Sequence, residues 1–480
     1  MGTEVKETQI DNKLLVKTSL WYTVSNFLSR AMVFLTTPIF TRLLSKKQYA
    51  DFSIFASWQS VFLIICGLEI YVTLNRFRFD HEKPEEINSF ITSSIVLSNL
   101  VTTLFLLFYL LFPGLLQKLF LLDTKYILLM FVYLYTYPVF AMFQAKQRIA
   151  YQYKLSAAIS FLLLLISTGL ALFLAHAMEE DRLLGRVIGQ YMPYVLAGLV
   201  FYTHFLLKSR SIRLKYWKYA LTIGLPLVFS FLGSQVLLYS DKVVVRHLSS
   251  ENEVAWLVLA TTASHIMLIF VQTLNFAWSP WFFDKLAAKD YGAIRKTFLA
   301  YMLFLMFCTL AVLLAGPELI QILGGREFSE SIQLLPAYLV VGGVLTALTA
   351  QYVNIETFHK ETKYAGILTS IVAVLNVVLD IVAVRNWGYR AACYVTVFCQ
   401  LLLILLHLVF SRKMDSGRIF PLTSLGIVLL GTLGMIPLSL FLYQHTWLRL
   451  AAAGAVVLAT VALLVKYRKI ILRFLSRRRG

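Results

Sequence analysis

A single arginine, Arg30, lies within the first long hydrophobic stretch of the chain, between "SNFLS" and "AMVFL". The apolar run on either side of it is too short to cross a bilayer alone, so a helix that spans here carries the charge near mid-membrane. A charge at that depth costs at least ~2.5–3.5 kcal/mol. Arg30 is therefore expected to face a wet cavity or a buried partner, and not lipid.

Polar side chains accompany this arginine on one face of the predicted helix. Thr23 and Asn26 belong to that face, at spacings of three and four residues from one another and from Arg30. The same stripe includes Ser19, Thr37 and Thr41. A guanidinium donates paired hydrogen bonds to phosphates and carboxylates. Two roles stay open for Arg30, contact with an anionic substrate or a structural ion pair with Glu69 or Asp380.

Few acidic residues lie inside apolar stretches, and these are candidates for coupling to a cation or a proton. Asp380 follows Asn376 by four residues, which places both on one helix face. Glu69 lies in the second apolar segment and Asp241 closes the seventh, where an ordinary position at the membrane interface is the alternative. His265 is a further candidate proton site, with an interhelical hydrogen bond as the alternative.

The composition identifies a multi-pass membrane protein. Of its 480 residues 59% are hydrophobic and 14% charged, and the mean hydropathy is +0.73, whereas soluble chains carry about a quarter charged residues. About fourteen apolar segments reach spanning length. They run over 14–41, 50–75, 87–112, 126–145, 155–176, 184–207, 217–240, 253–279, 297–316, 332–354, 364–384, 389–411, 421–443 and 447–466. No alternating strand pattern appears, so an all-α fold is predicted over a β-barrel.

Other chemistry finds little support in these residues. The four cysteines form no CxxC and have no histidine cluster beside them, which indicates packing and not a metal site. No GxxxxGK[ST] motif is present, so neither a nucleotide site nor a cofactor is expected. The loops are mostly under about 15 residues, which leaves no room for an extramembrane domain.

The distribution of basic residues predicts the orientation. With a cytoplasmic N-terminus, the cytoplasmic loops and tails would hold about 30 of the 44 Lys and Arg residues and the opposite loops about 13. The strongest clusters are "KSRSIRLKYWK" at 208–218 and the tail at 466–480. Both termini are therefore predicted to be cytoplasmic, and the net charge of +19 is attributed to topology and anionic lipid, not to nucleic acid.

An internal repeat is predicted on either side of the basic loop. "TRLLSKKQYADFSIFASWQS" at 41–60 aligns without gaps to "VRHLSSENEVAWLVLATTAS" at 245–264. Six segments per copy would give parallel repeats about an axis along the membrane normal. The predicted domains are a first lobe (1–207), a basic linker (208–216), a second lobe (217–411), and two extra helices with a basic tail (412–480).

Three stretches resemble one known family. They are "PIFTRLLSKKQYADFSIF" at 38–55, "GLPLVFSFLGSQVLLYSDKVVVRHLSSENEVAWLVLA" at 224–260 and "HKETKYAGILTSIVAVLNVVLDIVAVRNWGYRAACYVTV" at 359–397. The resemblance is to the Wzx-type lipid-linked oligosaccharide flippases of the multidrug/oligosaccharidyl-lipid/polysaccharide exporter superfamily. It implies two six-helix lobes related by a pseudo-twofold axis, two extra C-terminal helices and alternating access. The implied cargo is an undecaprenyl-pyrophosphate-linked repeat unit.

The resemblance assigns expectations to particular residues. Arg30 would meet the pyrophosphate, with Asn26 and Thr23 beside it. Gln235, Gln272 and Asn275 would line the second lobe and bind sugar hydroxyls. Transport would draw on a proton or sodium gradient, on the membrane potential, or on consumption of the flipped cargo.

The biological setting and the alternatives follow from the same resemblance. A flippase for O-antigen, capsule or exopolysaccharide would work in the bacterial cytoplasmic membrane, beside a polysaccharide polymerase and a chain-length regulator. Lipid II is the competing cargo, and a cation or drug antiporter is the other function on this fold. An antiporter needs a deep acid, yet the first helix offers only Arg30. An enzyme is not expected, because no large loop or DxD motif is present.

Overall fold

A computed structural model describes residues 32–81, 83–149, 153–415 and 419–476. These residues are almost entirely helical and include no β-strand, which confirms the predicted all-α membrane fold. Among them, twelve helices are long and apolar enough to cross a bilayer. Two shorter apolar helices, Met32–Leu43 and Thr446–Ala462, lie where the first and last segments were predicted.

The helices follow one another with short connections. They are α1 (Met32–Leu43), α2 (Lys46–Gly67), α3 (Ile70–Asp80), α4 (Pro84–Leu111), α5 (Pro113–Phe120), α6 (Thr124–Ile149), α7 (Tyr153–Ala177), α8 (Arg182–Lys208), α9 (Leu214–Leu248), α10 (Glu251–Ala287), α11 (Tyr291–Leu314), α12 (Gly316–Gly324), α13 (Ser331–Val340), α14 (Thr346–Phe358), α15 (Thr362–Trp387), α16 (Ala391–Asp415), α17 (Leu422–Gln444) and α18 (Thr446–Ser476). A π-helical turn, Val341–Leu345, joins α13 to α14 in one span, Ser331–Phe358.

Helix α4 shows how these helices are adapted to lipid. Its buried face is hydroxyl-rich, with Ser89, Thr92, Ser93, Ser94, Ser98 and Thr102. Its exposed face carries Leu100, Leu104, Leu107, Leu110 and Leu111. Inside a bilayer the exposed surface meets hydrocarbon, while small polar residues allow close helix packing and hydrogen bonds. The arrangement is the reverse of that in a water-soluble helix.

Contacts divide the chain into two compact units, each described by itself. Unit 1 comprises residues 1–258 and 362–395, and unit 2 comprises 259–361 and 396–480. Helices α10 and α16 each begin in unit 1 and continue in unit 2. The predicted lobe boundaries stay a prediction.

In unit 1, α9 and α15 pack closely at two glycines. A Cβ on Gly233 would lie 2.7 Å from the Cα atom of Ser370, and one on Gly366 would lie 2.5 Å from the Oγ atom of Ser230. Small residues at these points let the two backbones approach. This approach positions the polar residues farther along both helices.

The connection between α8 and α9 is held against α4 by hydrogen bonds. Thr92 Oγ1 donates to the Ser209 carbonyl at 3.1 Å, and the Arg213 amide donates to Ser93 Oγ at 3.0 Å. The indole of Trp217 donates to the Ser93 carbonyl at 2.8 Å. The basic segment between α8 and α9 is therefore fixed near the N-terminal end of α4.

In unit 2, the end of α11 is closed by side chains from α17 and α18. Tyr443 donates to the Leu313 carbonyl at 2.8 Å, and Arg449 donates to the Leu314 carbonyl at 2.7 Å. These are carbonyls of the last helical turn, which have no partner within the helix itself. Arg449 also forms an ion pair with Glu318 on α12 at 2.5 Å, so one arginine joins three helices.

Candidate ion and substrate sites

Helices α9 and α15 bring three of the predicted coupling residues together inside unit 1. Asp241 is 4% exposed, and Asn376 and Asp380 are fully buried. Ser240 donates to the Asn376 side-chain oxygen at 2.6 Å, and the carboxylates of Asp241 and Asp380 are close enough to repel each other. We call Asp241, Asn376 and Asp380 the acidic cluster.

The acidic cluster contains polar atoms that no neighbour satisfies. Within the described part of the chain, neither carboxyl oxygen of Asp380 has a hydrogen-bond partner, nor does the Asn376 Nδ2 atom. A buried carboxylate without a partner costs several kcal/mol, so Asp380 needs a proton or a cation. Carboxylate and amide oxygens suit hard cations. The cluster is therefore chemically able to hold one.

A lysine that the sequence analysis did not select lies beside this cluster. Lys242 is 4% exposed, directly follows Asp241, and has its Nζ atom 4.9 Å from the centre of the Tyr239 ring. A buried ammonium here offsets part of the negative charge of Asp241. The signal in the sequence was "SDK" within an otherwise apolar helix.

Glu69 lies at a break in a membrane span. Leu68 and Glu69 both adopt left-handed backbone angles, with φ of 51° and 50°, between α2 and α3. Glu69 is 5% exposed, and its Oε2 atom has no hydrogen-bond partner among the described residues. Broken helices expose backbone groups that coordinate ions in transporters. A coupling role for Glu69 stays a prediction.

Only some of the predicted substrate-binding residues lie within the described part of the chain. Arg30, Asn26 and Thr23 lie outside the described residues. Gln235, on α9 in unit 1, is half-buried, and its Oε1 atom has no partner within the described part of the chain. Their roles stay predictions.

Three predicted residues lie on α10 in unit 2. Gln272 and His265 are half-buried, while Asn275 belongs to a hydrogen-bonded network. The Asn354 amide donates to Asn275 Oδ1 at 3.1 Å, and Ser279 Oγ lies 3.2 Å from Asn354 Oδ1. Asn275 therefore joins α10 to α14 through its side-chain oxygen. Because an amide side chain can form several hydrogen bonds, part of its capacity is left for a ligand.

Another arginine in unit 1 occupies an aromatic setting. The Arg186 guanidinium on α8 lies 3.5 Å from the ring centre of Phe52 and 4.0 Å from that of Phe40. Its Nε and Nη1 atoms have no hydrogen-bond partner among the described residues. Stacking on two rings compensates part of the lost hydration. Arg186 could not be predicted from spacing along its own helix, because its aromatic partners lie on α1 and α2.

Ion pairs connect the two turns that the repeat alignment pairs. Arg246 donates to Asp51 at 2.9 Å and lies 3.2 Å from Glu251, which in turn lies 3.0 Å from Lys47. Both turns also carry a capping arrangement, formed by Ser45 with Gln48 and by Ser250 with Glu253. This ion-pair cluster lies within unit 1.

Comparison with known proteins identifies the family. The family described as "Polysaccharide biosynthesis protein" matches residues 15–285, more than half of the chain. The chain belongs to this polysaccharide biosynthesis family. The predicted resemblance is thereby confirmed.

An "Uncharacterized membrane protein" of Haemophilus influenzae is 21% identical over 364 residues, which is 73% of this chain and 85% of the relative. "Lsg locus putative protein 1" of the same organism is 22% identical over 57% of this chain and 67% of its own length.

Solved structures show which fold this family member has. A lipid II flippase, MurJ, in an inward closed conformation aligns with a TM-score of 0.66 and 16% identity, over 94% of this chain and 99% of its own. An inward-facing multidrug resistance MATE transporter aligns with a TM-score of 0.61 and 16% identity, over 81% and 95%. At such identities the likeness concerns the fold alone.

Proposed function

We propose that this chain is a flippase that moves an undecaprenyl-pyrophosphate-linked oligosaccharide from the inner to the outer leaflet by alternating access. The observation that carries the proposal is membership of the polysaccharide biosynthesis family on a fold shared with a lipid II flippase. The cargo is amphipathic and anionic, so its head group needs a polar path through the membrane. The repeat unit would serve O-antigen, capsule or exopolysaccharide synthesis.

Coupling to a cation gradient is part of the same proposal. The acidic cluster supports it, because both Asp380 oxygens are buried without a hydrogen-bond partner among the described residues. A sodium ion or a proton that neutralises Asp380 would favour one packing of α9 against α15 over another. An imposed gradient would then bias the direction of transport.

The cellular setting that we propose is the bacterial cytoplasmic membrane, with both termini in the cytoplasm. The two-to-one excess of basic residues on one side supports that orientation. A polysaccharide polymerase and a chain-length regulator would act on the flipped product.

A reconstitution experiment tests the proposed activity. Purified protein is inserted into vesicles that contain a fluorescent lipid-linked oligosaccharide, and loss of the outer label to a membrane-impermeant quencher is followed. Flipping should deplete the protected fraction faster than in protein-free vesicles. Transport of lipid II instead, or efflux of a cationic dye without oligosaccharide flipping, would overturn the cargo assignment in favour of the two alternatives on this fold.

Arg30 provides the residue-level test of the cargo assignment. We expect Arg30→Ala to abolish surface-polysaccharide display without loss of membrane protein, because the guanidinium is the proposed pyrophosphate ligand. Arg30→Lys should retain part of the display, since it keeps the charge but loses the paired geometry. Wild-type display by Arg30→Ala would show that the cargo does not depend on this residue.

A further inference from the structure

Unit 2 contains a fully buried pair of titratable groups that the sequence analysis did not select. Glu356 on α14 and His407 on α16 are both completely buried, and the His407 Nδ1 atom lies 2.6 Å from Glu356 Oε1. The outer atoms of the pair, Glu356 Oε2 and His407 Nε2, have no hydrogen-bond partner within the described ranges. Each group therefore keeps one polar atom to which a proton can be added.

A second hydrogen bond shows how these two helices run. Gln400 Nε2 donates to Thr349 Oγ1 at 2.8 Å, seven residues before His407 and Glu356 on the respective helices. Seven helical residues rise about 10 Å, so the two contacts lie along one seam and α14 and α16 are parallel there. Their C-terminal ends consequently lie on the same side of the membrane, and Glu356 is two residues from the end of its span at Phe358.

The pair can exist in two charge states that differ by one proton. In the first, a neutral imidazole donates through Nδ1 to the carboxylate, Nε2 has a bare lone pair, and the net charge is −1. In the second, Nε2 has gained a proton, and an imidazolium faces a carboxylate with a net charge of zero. In a dry, low-dielectric interior the neutral state is favoured, because an uncompensated buried charge is costly. Water that reaches the pair reduces that penalty, and the proton can leave.

Among the described residues, no carboxylate other than Glu356 forms an ion pair with His407. The titratable or charged side chains nearest in sequence to the pair are Tyr352, His359, Lys360, Glu361 and Arg412. Helix α10 meets α14 through the neutral Asn275 and Ser279, and the segment after α16 brings Phe420 against Tyr352. Among the described residues, no three histidine, cysteine or acidic side chains lie close enough together to hold a metal ion, which favours a proton over a metal ion.

We propose that Glu356 and His407 form a proton-binding site in unit 2, separate from the acidic cluster of unit 1. The pair exchanges one proton at the imidazole Nε2 atom when that end of α14 and α16 is wet, and holds the proton when the helices close. The site adds a second coupling position to the proposed flippase, and only its role in transport rests on that proposed function.

Infrared titration of the purified full-length protein in lipid nanodiscs tests the site without any cargo. Carboxyl and imidazole bands are recorded between about pH 5 and pH 9, a range that brackets the ordinary histidine pKa. The wild-type protein should show an imidazole titration with an accompanying shift of the Glu356 carboxylate band. Glu356→Gln should lose both within this range, because glutamine accepts the same hydrogen bond but leaves a protonated imidazole without a compensating buried charge. Identical titrations for the wild type and Glu356→Gln would overturn the proposal.

The neighbouring hydrogen bond provides a matched control. Gln400→Leu removes a contact between the same two helices but no titratable group, so it should keep the titrating bands. If Glu356→Gln does not fold, His407→Gln replaces it, and it should lose the imidazole bands within the same range. Retention of all titrating bands in His407→Gln would show that the pair is an interhelical contact only.

Transport measurements separate this proposal from the proposed function. In vesicles that flip the oligosaccharide, Glu356→Gln should reduce the response of the flipping rate to an imposed pH gradient about tenfold. Gln400→Leu should retain the full response. An unchanged response in Glu356→Gln would contradict a coupling role. If wild-type vesicles do not flip the cargo at all, the proposed function fails, whereas the infrared result still decides whether the proton site exists.

Discussion

At the scale of single residues, buried carboxyl groups are the main candidates for function. Asp380, Glu69 and Glu356 each have at least one oxygen without a hydrogen-bond partner among the described residues. Such groups are costly inside a membrane, so they are not explained by packing alone. Asp380 has the fewest hydrogen bonds of the three, since both of its carboxyl oxygens lack partners there.

Asp380→Asn tests the acidic cluster directly. The substitution keeps the size of the side chain but removes the charge that would bind a cation. We expect the flipping rate in reconstituted vesicles to lose its dependence on an imposed sodium or proton gradient, with cargo binding retained. Asp284→Asn, which removes an exposed carboxylate on α10, is the control and should keep the dependence. Full gradient dependence in Asp380→Asn would remove Asp380 from the mechanism.

At the scale of helices, close packing decides which side chains meet. Gly233 and Gly366 allow α9 to approach α15, and Ser240 then reaches Asn376 farther along the same two helices. The break at Leu68 and Glu69 similarly divides one hydrophobic span into two helices. Both features are local, yet each determines where a buried polar group lies.

Gly233→Ala should destabilise unit 1. The new Cβ would lie 2.7 Å from the Cα atom of Ser370, and relief of such overpacking typically costs about 1–3 kcal/mol. We expect a lower thermal unfolding midpoint in detergent, measured by loss of the monodisperse peak after heating. Gly169→Ala on α7 is the control, because no atom lies within 4 Å of its new Cβ. Equal midpoints for both variants would contradict close packing at Gly233.

The ion pair between α12 and α18 predicts a pH dependence. Hydrogen bonds from Arg449 hold the pKa of Glu318 below its ordinary value. A lowered pKa in the folded state means that the pair stabilises the protein above the ordinary glutamate pKa and that this contribution is lost as the pH falls through the lowered value. Because the Glu318 side chain is half exposed, the contribution is below about 1 kcal/mol.

Glu318→Gln checks this dependence. The variant should unfold at a lower temperature than the wild type near neutral pH, and the difference should disappear at pH values well below about 4, where glutamate is protonated. Glu180→Gln, at an exposed position before α8, should show no such difference. A gap between wild type and Glu318→Gln that persists in acid would argue against the ion pair as its cause.

At the scale of the whole molecule, the ion-pair cluster joins turns that are far apart in the chain. Arg246 and Asp51 are separated by 195 residues and lie in the two stretches that the predicted repeat aligns. Their contact joins α9 to α2 within unit 1. In the proposed alternating-access cycle, this contact between two helices is a point at which conformational balance can be set.

A double-mutant cycle measures this contact. Asp51→Asn and Arg246→Gln should each destabilise the protein, and the double variant should cost little more than either single one, which gives a coupling energy of about 0.5–3 kcal/mol. Unfolding midpoints in detergent and denaturant provide the measurement. The Lys285–Asp290 pair, which is local and exposed, is the control and should show weaker coupling. Additive effects at Asp51 and Arg246 would show that the pair is not energetically linked.

Much of the fold was predictable because a hydrophobic segment inside a bilayer must satisfy its own backbone hydrogen bonds, which a helix does. Spacing also placed Asn376 and Asp380 correctly on one face of one helix, since a four-residue interval fixes that relation. The tenth predicted apolar segment ended at about residue 354, whereas α14 continues to Phe358, so Glu356 lay outside the predicted span. The polar composition near that helix end led to this error, although burial on the inner face allows the helix to continue.

The amino-acid sequence by itself determined that the chain is a helical membrane protein, which residues are charged within its spans, and which polar residues share a helix face. These properties depend on composition and on the helical period. Only the tertiary structure decided that Asp241 lies near Asp380 and that Glu356 meets His407. Such pairs depend on how each helix is rotated and how closely it approaches its neighbour, and in a membrane those are set by small residues and interhelical hydrogen bonds that hydropathy does not reveal.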